Sequence, residues 1–178
     1  VALQYLLTGD DLWKSIGERI VDGFSKIAIY RDDFAFFERC VYGQDIRLDP
    51  KALVDADGSA HSIWVIQGLA QFYRTTGYEP AQELAGRLIR SLRRYSGLYG
   101  PEGEWTGVPH HHTHAIGVLA MVDFALAVGD REILEFARKS YECGRSLGVP
   151  LIGFFPEFYE GEAYETHLSC EECEVADR

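Results

Sequence analysis

Three groups of residues in this chain have types and spacing that could do chemistry. The first is the run Pro109-His110-His111-His112-Thr113-His114. Neutral imidazoles are ready zinc ligands. Consecutive side chains diverge unless the backbone bends, however, so most of the run is expected to be a solvated loop with one ordered member. That member is His114, at the start of an apolar helix. It is either a site residue or a histidine satisfied at a helix interface. The second group is Cys170-Glu171-Glu172-Cys173. A C-x-x-C is a redox pair or half of a zinc site. No strand pattern precedes it, which argues against the redox pair, and the two glutamates equally suit the positive end of a helix dipole. The third is the aromatic and acidic segment Val149 to Ser169, with Glu157, Glu160, Glu162 and Glu165 among Phe154, Phe155, Phe158, Tyr159 and Tyr164. Carboxyl groups of this kind serve as general acids in glycoside hydrolysis. Aromatic rings beside them offer apolar faces to the C–H faces of a sugar.

The elements that must position these groups are helical. From about His114 to Val128 the chain is apolar on nearly every side, the pattern of a helix buried all round. After Gly129-Asp130, residues Arg131 to Ser146 place Ile133, Leu134, Ala137, Tyr141 and Gly144 at three- and four-residue steps, an amphipathic helix with Asp130 as its N-cap. The unit is a hairpin of one inner and one outer helix. Similar turns stand at Gly9-Asp10 and Gly77-Tyr78, each followed by a helical pattern with small residues on the inward side. A repeat whose apolar helix cannot be buried by its own partner implies stacked neighbours. Outer helices are expected over about Asp10–Ala28, Glu79–Ser96 and Arg131–Ser146, and inner helices over about Ala60–Thr75 and His114–Val128. On the first outer helix Leu12, Trp13, Ile16, Ile20, Phe24 and Ile27 are expected inward, and on the second Leu84, Leu88, Leu92 and Tyr95; the first inner helix carries Ile63, Trp64, Ile66, Leu69 and Phe72. Arg87, Arg90, Arg93 and Arg94 read as a solvated face.

Turns within hairpins are short and connections between them long, so consecutive inner helices run parallel and the long loops gather at one end. Binding residues concentrate on such loops. His61 and His114 open two inner helices at that mouth, and Glu171-Glu172-Cys173 opens a third. Trp105, in the Gly-rich loop Gly97 to Val108, joins His61 and His114 as a candidate sugar contact.

The chain has 178 residues, 47% hydrophobic and 25% charged, within the range of one globular domain. Its net charge of -11 disfavours a nucleic-acid or anionic-membrane partner. No apolar run is read as reaching the roughly 18 residues of a membrane helix. Four cysteines without even spacing do not suggest a disulfide scaffold. Val1 to Leu7 reads as the last turns of an inner helix and Glu171 to Arg178 as a helix barely begun. The expectation is therefore a single partial domain over residues 1–178, cut at both ends, whose partner includes the missing remainder of its own toroid.

The helix, Gly-Asp, helix unit resembles the six-hairpin, double-layer α-barrel of many sugar-active enzymes. More narrowly, Thr113-His114-Ala115, Gly129-Asp130, the loop around Glu157 and Glu171-Glu172-Cys173-Glu174-Val175-Ala176 resemble, in order, the motifs of the β-L-arabinofuranosidases of glycoside hydrolase family 127. The resemblance covers about Val108 to Asp177. The family's Leu-Pro-Asn is replaced by Thr166-His167-Leu168-Ser169-Cys170, and its glycine before the histidine by Thr113. The resemblance implies an all-α fold, part of an (α/α)6 toroid of about three hairpins. It also implies zinc on Glu171 and Cys173, His114 on the sugar, Glu157 as acid/base, and a thiolate nucleophile beyond this chain. The alternative is a non-hydrolytic α-toroid, either a glycan-binding module or an epimerase, lyase or cyclase-type relative.

Overall fold

The computed structural model describes residues 1–37, 56–107 and 109–160. The fold is all-α. Among the described residues six helices carry it: α1 Ala2–Thr8, α2 Asp11–Ile27, α3 Ala56–Thr76, α4 Glu79–Arg94, α5 His111–Val128 and α6 Arg131–Ser146. They form three helical hairpins, α1–α2, α3–α4 and α5–α6. Each turn is made the same way. Gly9, Gly77 and Gly129 all lie in the left-handed region, at φ 67°, 70° and 74°. Only glycine adopts that conformation without strain, and it lets the chain leave one helix and enter the next at once. Thr8 and Thr76 add a matching cap, each hydroxyl donating to the carbonyl four residues back and accepting the amide two residues on. Asp10 and Asp130 then cap the outer helices, accepting from the amides of Leu12 at 2.9 Å and Ile133 at 3.0 Å.

The inner helices lie side by side, α1 against α3 and α3 against α5, and each outer helix backs its own inner one. Trp64 of α3 and His112 of α5 have ring centroids 5.9 Å apart. Further on, the Gln71 amide donates to Asp123 at 3.1 Å. The two contacts advance in the same direction along α3 and α5, which makes the helices parallel. Each outer helix also meets the following inner one at a glycine. The Phe72 ring lies against Gly17 of α2, and the Phe124 ring against Gly86 of α4. A side chain at Gly17 would overlap Phe72, so two helices approach only as closely as that glycine allows. The core runs through α3, α4 and α5, with Ile63, Ile66, Leu84, Leu88, Ile89 and Met121 at its centre.

Several expectations are corrected. The residues after α2 contain a β-hairpin, β1 Ile29–Arg31 antiparallel to β2 Phe34–Phe36, turned at Asp32 with φ 35°. It packs on α4, with Phe34 stacked on Tyr95 at 4.2 Å. Arg87 and Arg90 are not simply solvated, since they donate to the backbone carbonyls of Asp32 and Asp33. Arg93 pairs with Glu132 at 3.0 Å and lies over the Phe136 ring. The inward face of α2 is largely open: Leu12, Ile20 and Ile27 are exposed, and only Gly17 and Val21 are buried. Finally, α5 is by length and composition long and apolar enough to cross a membrane. It is packed between α3 and α6, and ten of its residues, from His111 to Ala125, are buried.

Candidate functional site at the start of α5

The histidine run is not a solvated loop. Helix α5 begins three residues before His114, at His111, and His110 is the N-cap by backbone geometry, its side chain making no cap bond. An N-cap without a capping side chain leaves first-turn amides to be satisfied from elsewhere. The acidic segment does this. The His111 amide donates to the Glu157 carbonyl at 2.8 Å, and the Tyr159 amide donates to the Pro109 carbonyl at 3.1 Å. This short antiparallel bridge pairs His110 with Phe158. Glu157 and His114, distant in sequence, are thereby brought to the same end of the same helix.

His114 is fully buried. Its Nδ1 lies 3.0 Å from the His110 carbonyl, and its Nε2 lies 3.0 and 2.9 Å from the carbonyls of Leu98 and Thr106. The Tyr99 hydroxyl donates to the His114 carbonyl at 2.6 Å. Burial lowers the His114 pKa below its ordinary value, and the facing carbonyls only partly oppose that. Burial also raises the Tyr99 phenol well above its usual range, so it stays a donor. Together these bonds clamp the loop between α4 and α5 onto the first turns of α5. The loop is itself a tight hairpin, with Thr106 donating to Leu98 at 2.9 Å and Gly100 to Glu104 at 2.8 Å.

Trp105 is the wedge of this assembly. Its ring stacks on His114 with centroids 4.8 Å apart and planes 16° from parallel. Its indole N–H donates to Ser140 Oγ on α6 at 2.9 Å. Gly144 makes room for its outer edge. At 9% exposure it presents little to a ligand at the mouth. His111, also fully buried, stands in an aromatic shell of Trp105, Phe155 and Tyr159. Burial, with Glu160 and Cys143 nearby, raises the Tyr159 phenol above its ordinary range.

The groups that face outward at this mouth are different ones. Trp64 is 57% exposed and stands beside His112. His112 and His110 are half-buried with ring centroids 6.1 Å apart, and His110 lies 5.2 Å from Phe158. His110 Nδ1 shares a 2.8 Å hydrogen bond with the Thr113 hydroxyl. The Glu157 residue is half-buried. In the sequence Trp64 stands beside Ile63 among the apolar residues of the inner helix, with no face assigned to it. The buried positions Ile63, Ile66, Leu69 and Ala70 follow a three- and four-residue step that skips it, and that step is the signal that marks it as outward.

His61 lies within α3, in its second turn rather than at its start. Glu171 and Cys173, with Cys170, lie outside the described residues. Among the described residues no three His, Cys, Asp or Glu side chains gather as a metal site. The donors nearest the mouth are the His110 and His112 imidazoles. Compared with protein-family models, curated proteins and solved structures, the chain matches none.

Proposed function

We propose that this chain belongs to a glycan-acting α-hairpin domain and that the end where α3 and α5 begin holds a sugar. The observation that carries the reading is Trp64. A large aromatic ring, 57% exposed in the third turn of α3 beside an imidazole at the start of α5, is a stacking platform for a pyranose or furanose face. His112 and His110 supply hydrogen-bonding edges next to it. Glu157 is carried to the same end by its backbone bond to His111. In the hydrolytic form of the proposal Glu157 protonates the leaving oxygen, while Phe158 limits water on one side. His114 and Trp105 serve by holding the loop between α4 and α5, and a sugar contact from His61 rests on the sequence pattern alone. The finer reading is a retaining β-L-arabinofuranosidase, and it rests on the sequence resemblance alone. Zinc would then be held by Glu171 and Cys173, where it would keep a thiol in its nucleophilic thiolate form.

The test has two arms. In the binding arm, arabinofuranosides are titrated against tryptophan fluorescence. Wild type is expected to respond and Trp64→Ala to lose the response while keeping its helical circular dichroism. In the hydrolysis arm, Glu157→Gln is expected to cost about 10²–10⁴-fold in turnover, less for substrates with good leaving groups. Sugar binding without turnover, unaffected by Glu157→Gln, would select the non-hydrolytic alternative. An identical fluorescence response in wild type and Trp64→Ala would remove the site itself.

A further inference from the structure

We propose that two copies of this chain pair through α2, antiparallel, across a two-fold axis near Ile20. The pairing needs no sugar and stands apart from the mouth. A comparison of outer helices singles out α2. The exposed residues of α4 are Glu79, Pro80, Glu83 and Arg94, and no large apolar side chain is among them. Helix α2 has the same place in its hairpin, yet it exposes Leu12, Ile20 and Ile27. With the half-buried Ile16 these recur at four- and seven-residue steps, which makes one stripe along the helix.

The stripe is long enough to pair. From Leu12 to Ile27 it runs about 22 Å at 1.5 Å per residue. Ile20 also lines one groove with Leu3 of α1, so the apolar surface continues from α2 onto α1. Leu3, Leu6, Leu7, Leu12, Ile20 and Ile27 together present roughly 700 Å², close to the about 800 Å² that each partner gives to a standard interface.

Charge selects the occupant and its direction. Asp11, Arg19, Asp22 and Lys26 are exposed, and at 3.6 residues per turn they fall on one side of the stripe. An antiparallel pair centred between Arg19 and Ile20 sets Leu12 opposite Ile27 of the second copy. Lys26 then lies within a turn of the second copy's Asp11, and Arg19 within a turn of its Asp22. The two-fold makes each of these pairings occur twice. The Tyr78 hydroxyl donates to Asp22 at 2.8 Å and orients that carboxylate. A parallel pair would instead set Arg19 beside Arg19 and Lys26 beside Lys26, like charge against like, with the helix dipoles aligned. The stripe and its charged edge are therefore complementary to themselves, as an isologous contact requires.

The unaltered chain is tested first. Sedimentation is expected to show a monomer–dimer equilibrium, and amide exchange is expected to slow in α2 but not in α6 as concentration rises. A monomer at every concentration, species that grow beyond a dimer, or equal slowing in both helices overturns the proposal. Single cysteines under mild oxidation then test the register, with linked peptides identified by mass spectrometry. Ile20→Cys is expected to link to itself between two chains. Leu12→Cys is expected to link to Ile27→Cys when the two variants are mixed, and several-fold more slowly to itself. Equal self-linking of Leu12→Cys and Ile20→Cys would make the pair parallel, and no link in any combination would remove α2 from the contact; either result overturns the proposal. Leu12, Ile20 and Ile27 are exposed in the single chain, so its fold does not depend on them. Lys26→Asp is expected to weaken dimerisation several-fold, and Asp11→Lys added to it is expected to restore it. A double variant as weak as Lys26→Asp alone would reject the antiparallel register.

Discussion

At the residue scale the sharpest contrast is between His114 and its neighbours. Four histidines lie within five positions, and two of them are fully buried. His114 faces three carbonyl oxygens, a setting that favours a protonated ring. Burial acts the other way and is the larger effect, so the folded pKa lies below the ordinary 6.5. The sign of the linkage follows. Below the unfolded pKa the unfolded chain binds the proton more readily than the folded one, so stability falls as protons are added. The contribution is fully present above about pH 6.5 and is lost as pH falls through the lower folded value. Urea unfolding midpoints are therefore expected to drop between about pH 7.5 and about pH 5.5 in wild type, and to drop less in His114→Gln. An equal drop in both would assign the pH dependence to the other histidines of the run.

At the element scale the hairpins close on glycines, and the glycines are not equivalent. Gly144 sits under the Trp105 ring, where an added Cβ would come within 2.2 Å of it. Trp105 has little freedom to move away, being bonded to Ser140 and stacked on His114. Gly144→Ala is expected to destabilise by about 1–3 kcal/mol through overpacking. Gly23, within α2, has no atom within 4 Å of such a Cβ. Gly23→Ala is expected to stabilise by about 0.5–1 kcal/mol, since alanine loses less backbone freedom in a helix. Denaturant titration of the two variants beside wild type checks both signs. The hairpins themselves were legible in the sequence. The turn glycines, the Asp130 cap, the bounds of α6 and the buried stripe of α4 at Leu84, Leu88 and Leu92 follow from local pattern. The site was legible only in part. His114 was marked by its place beside an apolar run, but its burial depends on Leu98 and Thr106, which no helical period connects to it. The backbone bond from His111 to Glu157 has no side-chain signature at all. The β-hairpin was missed because Phe34, Phe36 and Phe37 read equally as loop or strand, and what selects the strand is packing on α4.

At the scale of the whole molecule the described structure is a double layer with two unlike flanks. The flank of α5–α6 carries an apolar groove lined by Ala115, Val118, Leu119 and Val122 of α5 and Leu134 and Tyr141 of α6. The flank of α1–α2 carries Leu3, Leu6, Leu7 and Leu12 at 59–71% exposure, with Ile20 and Ile27 also exposed. Scattered apolar residues on a surface mean little, but a contiguous set along one short helix and the helix behind it marks an interaction face. In a stacked repeat an end unit without a polar cap exposes the surface that would meet a neighbour. The expected outcome is self-association through α1 and α2, visible in sedimentation as a weight-average mass that rises with concentration. Leu3, Leu6 and Leu7 are more than 60% exposed, so replacing Leu6 and Leu7 by Glu and Lys should leave the fold intact and lower association sharply. Substitution at Tyr141 on the opposite flank should change it little. A chain that sediments as a monomer at all concentrations would contradict the open-flank argument. Association abolished equally from either flank would instead describe a head-to-tail contact of α1 with the α5–α6 groove.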